Sequence, residues 1–267
     1  YFENGTHVFI LPGVPDEMKN MVLNHIIPNY LKGPCKEKSV TIRTAGIMES
    51  HLAEKIENMM GKYSSSCSFS FLPHYNGVSF RIREKNGSQN LLKVKDDFFQ
   101  AMQPYAYGFD DDTLESILGE KLISKDITIS TAESCTGGLL GKRLTNSPGS
   151  SKYFCGGITA YNNELKTSLL GVSSNTLKTY GAVSDQTALE MAQGIRKKTQ
   201  TDIGISTTGI SGPDGGSPSK PVGLVYIGIV TPEISKVKKY VFQVKRHIHR
   251  EMTTTAALNI TRLCLEN

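Results

Sequence analysis

The stretch ITISTAESCTGGLLGKRL, residues 127 to 144, decides how the chain is read. An apolar β-rich run at Ile127 to Ile129 enters the turn TAESCTGG at 131 to 138, and a helix follows through Leu139 to Leu144. Strand, glycine turn and helix in succession form the repeating unit of an α/β sheet. Gly137 and Gly138 let the backbone approach a ligand closely, and the start of the helix offers N–H groups to an anion or a developing oxyanion. Ser134 and Cys135 stand where a nucleophile is most useful. A plainer reading makes Ser134 and Thr136 helix caps. The turn is not a P-loop, because no GK[ST] arrangement follows its glycines.

Working outward, strands are expected at Ile158 to Tyr161, Ile203 to Ser206, Val222 to Val230 and Val237 to Val244. Ser184 reads as the N-cap of a helix whose Ala188, Met191, Ala192 and Ile195 recur at i, i+3, i+4 and i+7. The last helix places Ala256, Ile260, Leu263 and Cys264 on one face. Strands alternating with helices predict an α/β domain over 113–267, one sheet covered by helices. Upstream, a helix at Leu114 to Leu122 follows YAYGFDDD (105–112), a polar, turn-forming junction read as a linker. Residues 38–107 read strand, helix, strand, strand, helix, a small α+β linking domain. Leu52, Ile56 and Met59 or Met60 face inward in its first helix, and Leu91, Val94, Phe98 and Met102 in its second. Residues 1–37 begin with a strand at Val8 to Ile10, then a turn, then a helix that Pro28 ends or kinks.

At 267 residues the length suits two domains, or one and a fragment. With a net charge of +5, 21 % charged and 38 % hydrophobic residues, the composition is globular and argues against disorder, collagen and coiled coil. The longest apolar runs, such as Gly223 to Val230, fall far short of the roughly 18 to 20 residues of a membrane span, and the first residues carry no signal-peptide pattern. A soluble, cytoplasmic protein is expected. Five scattered cysteines, with no CxxC and no Cys/His pair at ligand spacing, suit reduced thiols and no structural zinc. The chain starts at Tyr1, and HVFILPGVPDEM begins almost at once, as though entered from upstream.

Further chemistry gathers in three places. PGSS at 148–151 and TAYNNELK at 159–166 bring Tyr161 and Lys166, both able to return to the Ser134 turn. A desolvated lysine serves as a base for a serine and a tyrosine hydroxyl orients or relays the proton; the bland alternative is a solvated lysine and a rim aromatic. TTGISGPDGGSPSKPVG, 207–223, follows an apolar strand, where α/β sheets place ligands. Thr207, Thr208 and the N–H groups around Gly209 to Gly212 suit a polar substrate, whereas Asp214 reads as a turn former rather than a metal ligand. The run from Lys236 to Arg250 has no acidic residue. Its lysines suit the exposed face of an edge strand, and Arg246 and Arg250, at the start of the last helix, suit a phosphate clamp. Nucleic-acid binding through this run, helped by Tyr240 and Phe242, is the weaker reading.

TAESCTGG, PGSS, AYNNELK, GAVSDQTA, TGISGPDGG and KPVGLVYI, in this order and spacing, resemble the C-terminal domain of the CinA family, the nicotinamide-nucleotide amidase domain. HVFILPGVPDEMKNM resembles the closing segment of that family's molybdopterin-binding-like N-terminal domain, and residues 38–107 resemble the domain between the two. The resemblance implies hydrolysis of the carboxamide of nicotinamide mononucleotide to nicotinate mononucleotide and ammonia. It makes Ser134 the nucleophile, Lys166 its base and Tyr161 the relay or orienting residue. Thr136, Gly137, Ser151, Thr208 and Gly209 would line the substrate site, and Arg246 or Arg250 would meet the phosphate. It implies no metal, no cofactor, no nucleic-acid or membrane partner, and a homodimer. The residues that hold ADP-ribose and metal in the N-terminal domain are mostly absent, so that pyrophosphatase activity is not expected. The apolar face of residues 8 to 27 lacks its parent sheet, and is expected to pack poorly, dock on the middle domain or enter a dimer contact. The alternative function is a catalytically silent nucleotide-binding module.

Overall fold

The computed structural model describes residues 2–3, 6–31, 38–85 and 91–266, and the chain divides into two compact units, Tyr1–Lys38 and Ser39–Asn267. In the first, β1 (Phe2–Glu3) pairs antiparallel with β2 (Thr6–His7). Helix α1 (Pro15–Met21) opens with proline and carries Asp16 and Glu17 in its first turn, where both residue types suit the helix start. It runs through a π-helical turn, Val22–Ile26, into α2 (Ile27–Tyr30). Pro28 falls inside α2, directly after the π turn, and does not end the helix, which continues to Tyr30. The strand expected at Val8 to Ile10 is not formed: the ladder ends at His7, and Val8, Phe9 and Ile10 are exposed. No helical residue of this unit is buried. The sequence boundary at 37, and Cys35, lie outside the described residues.

The second unit begins with the linking domain. Its elements are β3 (Ser39–Thr44), α3 (Glu49–Tyr63), β4 (Cys67–His74), β5 (Gly77–Glu84), α4 (Leu91–Ala101) and β6 (Ala106–Phe109). The sheet order is β4-β5-β3-β6 with every pair antiparallel. The helical stripes find their partners: Leu52, Ile56, Val94, Phe98 and Met102 pack with Ile42, Phe80 and Ile82 in one core. Residues 105–112 are not a linker. Ala106–Phe109 alternates buried and half-buried positions along the edge of β3, and the acidic residues finish the strand instead of solvating a hinge. Asp110 Oδ1 accepts the Thr41 N–H at 2.9 Å and Asp112 Oδ2 the Phe109 N–H at 2.7 Å.

The C-terminal domain follows: α5 (Leu114–Ser124), β7 (Ile129–Glu133), α6 (Leu139–Thr145), a 3₁₀ turn at Ser150–Lys152, β8 (Phe154–Thr159), α7 (Asn163–Leu170), α8 (Ser174–Tyr180), α9 (Asp185–Thr199), β9 (Ile203–Gly209), β10 (Leu224–Val230), β11 (Ser235–Val241) and α10 (Arg246–Cys264). The mixed sheet has the order β11-β10-β9-β7-β8; β7 runs parallel to both its neighbours, whereas β10 and β11 are antiparallel additions. Helices α5, α6 and α10 cover one face over Ile129, Ile205 and Ile227; α7, α8 and α9 cover the other, where Met191 and Ile195 of α9 pack with Ala132 of β7. The protein is therefore α/β, as its periodicity predicts.

Several ends move. β7 starts at Ile129 and continues through Thr131, Ala132 and Glu133, so the first three residues of the expected turn are strand. β8 runs from Phe154 to Thr159 rather than from Ile158 to Tyr161, so it takes in Gly156 and Gly157 and leaves Tyr161 beyond it. Gly157 is required in the strand because a Cβ there would stand 2.3 Å from Thr131 Oγ1. On α10 the deepest positions are Thr253, Ala257, Leu258 and Thr261 rather than the expected Ala256, Ile260, Leu263 and Cys264 face, of which only Ile260 is buried. A buried threonine is tolerated there because its hydroxyl bonds back into the helix, as Thr261 Oγ1 does to Ala257 O at 2.8 Å. The linking domain is held to α10 by Thr255 Oγ1 on Asn76 Oδ1 (2.8 Å) and by Arg262 Nη2 on Pro104 O (2.6 Å). Among the described residues no helix is long and apolar enough to cross a membrane.

Helix α9 lies against the end of α7 so closely that a Cβ on Gly194 would fall 1.7 Å from Leu170 O. Gly194→Ala is expected to cost about 3 kcal/mol, since backbone must move to admit the methyl group. Urea unfolding of the variant beside the parent measures it.

Candidate active site

Because β7, β8 and β9 are parallel, their C-terminal ends meet at one edge of the sheet. Ser134 is the first residue past β7, and its N–H continues the ladder to Thr207 O at 2.9 Å. Ala160, the first residue past β8, donates its N–H to Glu133 O at 2.8 Å. Asn162 then caps α7, its Oδ1 accepting the Leu165 N–H at 2.8 Å, so that Lys166 lies one turn into the helix and points back at the sheet. Its Nζ lies 3.1 Å from Ser134 Oγ and donates to Ala160 O at 3.0 Å. Lys166 is 1 % exposed.

Among the described residues no carboxylate stands within ion-pair distance of this ammonium. Burial therefore lowers the Lys166 pKa from its ordinary value, opposed only weakly by the neighbouring Cys135. The neutral amine has a lone pair for the Ser134 proton. Cys135 is excluded from the same role: its side chain joins the core, and burial pushes its thiol up to about 12, leaving it protonated near neutral pH.

A residue that sequence reasoning passed over organises the turn. Glu133 is buried and its carboxylate takes four donors: the Thr136 hydroxyl (2.6 Å) and the N–H groups of Gly138 (3.0 Å), Leu140 (3.0 Å) and Gly141 (2.8 Å). The start of α6 is thus occupied by the protein's own anion, and these N–H groups do not await an oxyanion or a phosphate. The signal in the sequence is indirect. Gly138 at the N-cap supplies no side chain and the first turn of α6 holds no acid, so the helix start needs an acceptor from elsewhere. With the Thr136 hydroxyl given to Glu133, it accepts from Thr207 Oγ1 at 2.7 Å, and its side chain is not turned to a ligand.

The other expected site residues separate into near and far. Arg250 donates through Nε (3.1 Å) and Nη2 (2.6 Å) to Thr136 O, and it packs over Gly137, whose φ of +59° only glycine adopts readily. Thr208 is buried beside Ser134 on β9 and donates to Ala182 O at 2.6 Å; Gly209 ends that strand opposite Val225. Tyr161 does not bond Ser134 or Lys166. It is exposed, and its hydroxyl accepts from Arg246 Nη2 at 2.7 Å, while Arg246 Nη1 holds Gly212 O at 2.9 Å. Ser151 is at the wrong end: it precedes β8, whose start pairs with Ile129, and five strand residues of about 3.3 Å each separate that end from Thr159. Asp214 is exposed on the long loop, and among the described residues no group of three or more His, Cys, Asp or Glu is placed to hold a metal ion. A second unforeseen pair ties this loop to α10. The buried Ser211 Oγ meets His249 Nδ1 at 2.9 Å and His249 Nε2 meets Gly223 O at 3.1 Å; burial lowers the His249 pKa, so Nε2–H donates to the carbonyl and Nδ1 accepts the hydroxyl.

Residues 111–265 match the family described as the CinA C-terminal domain, and residues 39–108 match the CinA KH domain. The chain belongs to the CinA family. A CinA-like protein of Chloroherpeton thalassium is 42 % identical over 271 residues, which cover 97 % of this chain and 64 % of that protein. This chain thus spans less than two thirds of the length of that relative. The crystal structure of a competence/damage inducible protein from Agrobacterium tumefaciens is 36 % identical with a TM-score of 0.53, covering 58 % of this chain and 98 % of its own. A CinA superfamily protein from Klebsiella pneumoniae is 27 % identical with a TM-score of 0.56, covering 57 % and 96 %.

Two stability measurements test this geometry. Glu133→Ala strands three N–H groups and a hydroxyl, and is expected to cost about 3 kcal/mol in urea unfolding. The unfolded chain keeps Lys166 protonated up to its ordinary pKa, whereas the folded chain releases that proton earlier. Between the two values the unfolded state binds more protons, so stability rises with pH. Lys166→Met is expected to remove that slope and to be more stable than the parent at neutral pH, read from unfolding curves at several pH values.

Proposed function

We propose that this CinA family protein hydrolyses the carboxamide of nicotinamide mononucleotide to nicotinate mononucleotide and ammonia. The observation that carries the reading is the buried Lys166 Nζ, 3.1 Å from Ser134 Oγ and free of any carboxylate partner among the described residues. Amide hydrolysis needs a nucleophile and a base that later returns the proton, and a desolvated lysine is competent at both steps.

In this mechanism Lys166 takes the hydroxyl proton as Ser134 Oγ attacks the amide carbon. The tetrahedral intermediate collapses, the C–N bond breaks, and the Lys166 ammonium gives its proton to the departing nitrogen, releasing ammonia. An ester to Ser134 remains. Water, deprotonated by Lys166, attacks that ester, and the C–O bond breaks as the proton returns to Ser134, leaving the carboxylate product. Arg250 spends two donors on Thr136 O and so shapes the turn, whereas the exposed Arg246 suits the nucleotide phosphate better. Tyr161, held by Arg246, belongs with phosphate or ring binding rather than with proton relay.

Ammonia release from nicotinamide mononucleotide tests the reading. Ser134→Ala and Lys166→Ala are expected to lose about 10³-fold or more in kcat, with Cys135→Ala close to the parent. Because the base must be neutral, kcat/KM should rise with pH and level off below the ordinary lysine pKa. No release by the folded parent, or full release by Ser134→Ala, removes the assignment.

A further inference from the structure

Away from Ser134, a cleft of about 1010 Å³ opens between the linking domain and the β11 edge of the C-terminal domain. Its volume is at the upper end of small-molecule sites. One wall is apolar, with Ile47 and Tyr105 from the linking domain and Ala256 and Ile260 from α10. The lining also carries Tyr240 and Phe242, whose rings stack at 5.4 Å and 15°.

Two lysines stand where the sheet pattern calls for apolar residues. The register pairs Lys236 with Ile229 and Lys238 with Ile227, so both lysines project on the core-facing side of the sheet and line the cleft. Neither enters an ion pair among the described residues. Two acids share the lining: Glu266, already neutralised by Arg262 at 2.9 Å and Lys121 at 3.1 Å, and Glu49 at the start of α3, a single carboxylate against the two lysines. The cleft therefore combines a large apolar and aromatic interior with an excess of positive charge.

We propose that this cleft binds a small anion that carries an aromatic ring, the ring against Tyr105, Tyr240 and Phe242 and the acid at Lys236 and Lys238. Stacking and apolar contact supply the body of such a site, and charge-assisted bonds fix its orientation. The competing role for inward-pointing lysines is to guard an edge strand against pairing. A guard requires no ligand.

The test uses the whole chain and two probes of one skeleton, the anionic 8-anilinonaphthalene-1-sulfonate and the neutral N-phenyl-1-naphthylamine, followed by fluorescence titration. The expected result is saturable binding of the sulfonate at one site per chain, weakened about tenfold or more by Lys236→Glu with Lys238→Glu while the neutral probe binds as before. Ala256→Trp, which fills the cleft from α10, should abolish sulfonate binding without altering ammonia release. No saturable binding, or binding that charge reversal leaves unchanged, reduces the lysines to an edge guard and overturns the proposal. Sulfonate binding that Ala256→Trp leaves intact would place the probe outside the cleft and overturn it equally. The proposal stands or falls independently of the amidase reading, because its readout is binding at a cleft that Ser134 does not line.

Discussion

A lysine amine sealed from water beside a serine hydroxyl is the constraint around which the C-terminal domain is arranged. Burying Lys166 without a carboxylate costs free energy that a purely structural side chain would not incur, and the cost is lowered when the amine is neutral. Three separate segments must converge to hold it there: the end of β7 supplies Ser134, the end of β8 supplies Ala160 O, and the Asn162 cap sets the phase of α7. Only parallel strands bring the first two to the same edge. The sheet topology and the chemistry are thus one requirement.

Glu133 complements that arrangement with the opposite charge. Its carboxylate neutralises the positive end of α6 and fixes Thr136, so the turn bearing Ser134 is rigid before any substrate arrives. Among the described residues it also bonds no cation, which leaves Lys166 without a partner that would raise its pKa. A carboxylate one turn closer to the amine would produce an ion pair and a worse base. The Ser134–Lys166 contact depends on Glu133 spending itself on backbone N–H groups.

Periodicity made the helices legible: the Leu52 and Ile56 stripe, the Val94 and Phe98 stripe, and the Ser184 cap with its Ala188, Met191 and Ile195 face all lie where the spacing puts them. Strand ends were harder, because β8 starts at Phe154 rather than Ile158, with Gly157 a close-packing position, and aspartates that read as a linker serve as local hydrogen-bond acceptors after β6. In the site, motif proximity in sequence misled where direction along a strand mattered. Ser151 and Thr159 flank the same strand and therefore belong to opposite ends of the sheet. Tyr161 follows Ala160 directly, yet its hydroxyl turns to Arg246 because the chain has left the strand by then. Glu133 was illegible for a different reason: its role is visible only once the helix it caps is known to lack a cap of its own.

Helix α10 gathers what the rest of the fold separates. Its nineteen residues span about 28 Å, and each part has a distinct partner. Arg246 and Arg250 hold Tyr161, Gly212 and Thr136 at one end, and His249 secures the long loop through Ser211 and Gly223. Thr255 meets Asn76 in the middle, and Arg262 holds Pro104 at the other end. One helix thus bonds both the linking domain, at Pro104, and the turn that bears Ser134, at Thr136. Polar side chains rather than apolar ones fill much of the buried face of α10, and most are hydrogen-bonded, the Thr253 hydroxyl being an exception; directional bonds fix the register of the helix, which apolar packing alone leaves free to slide.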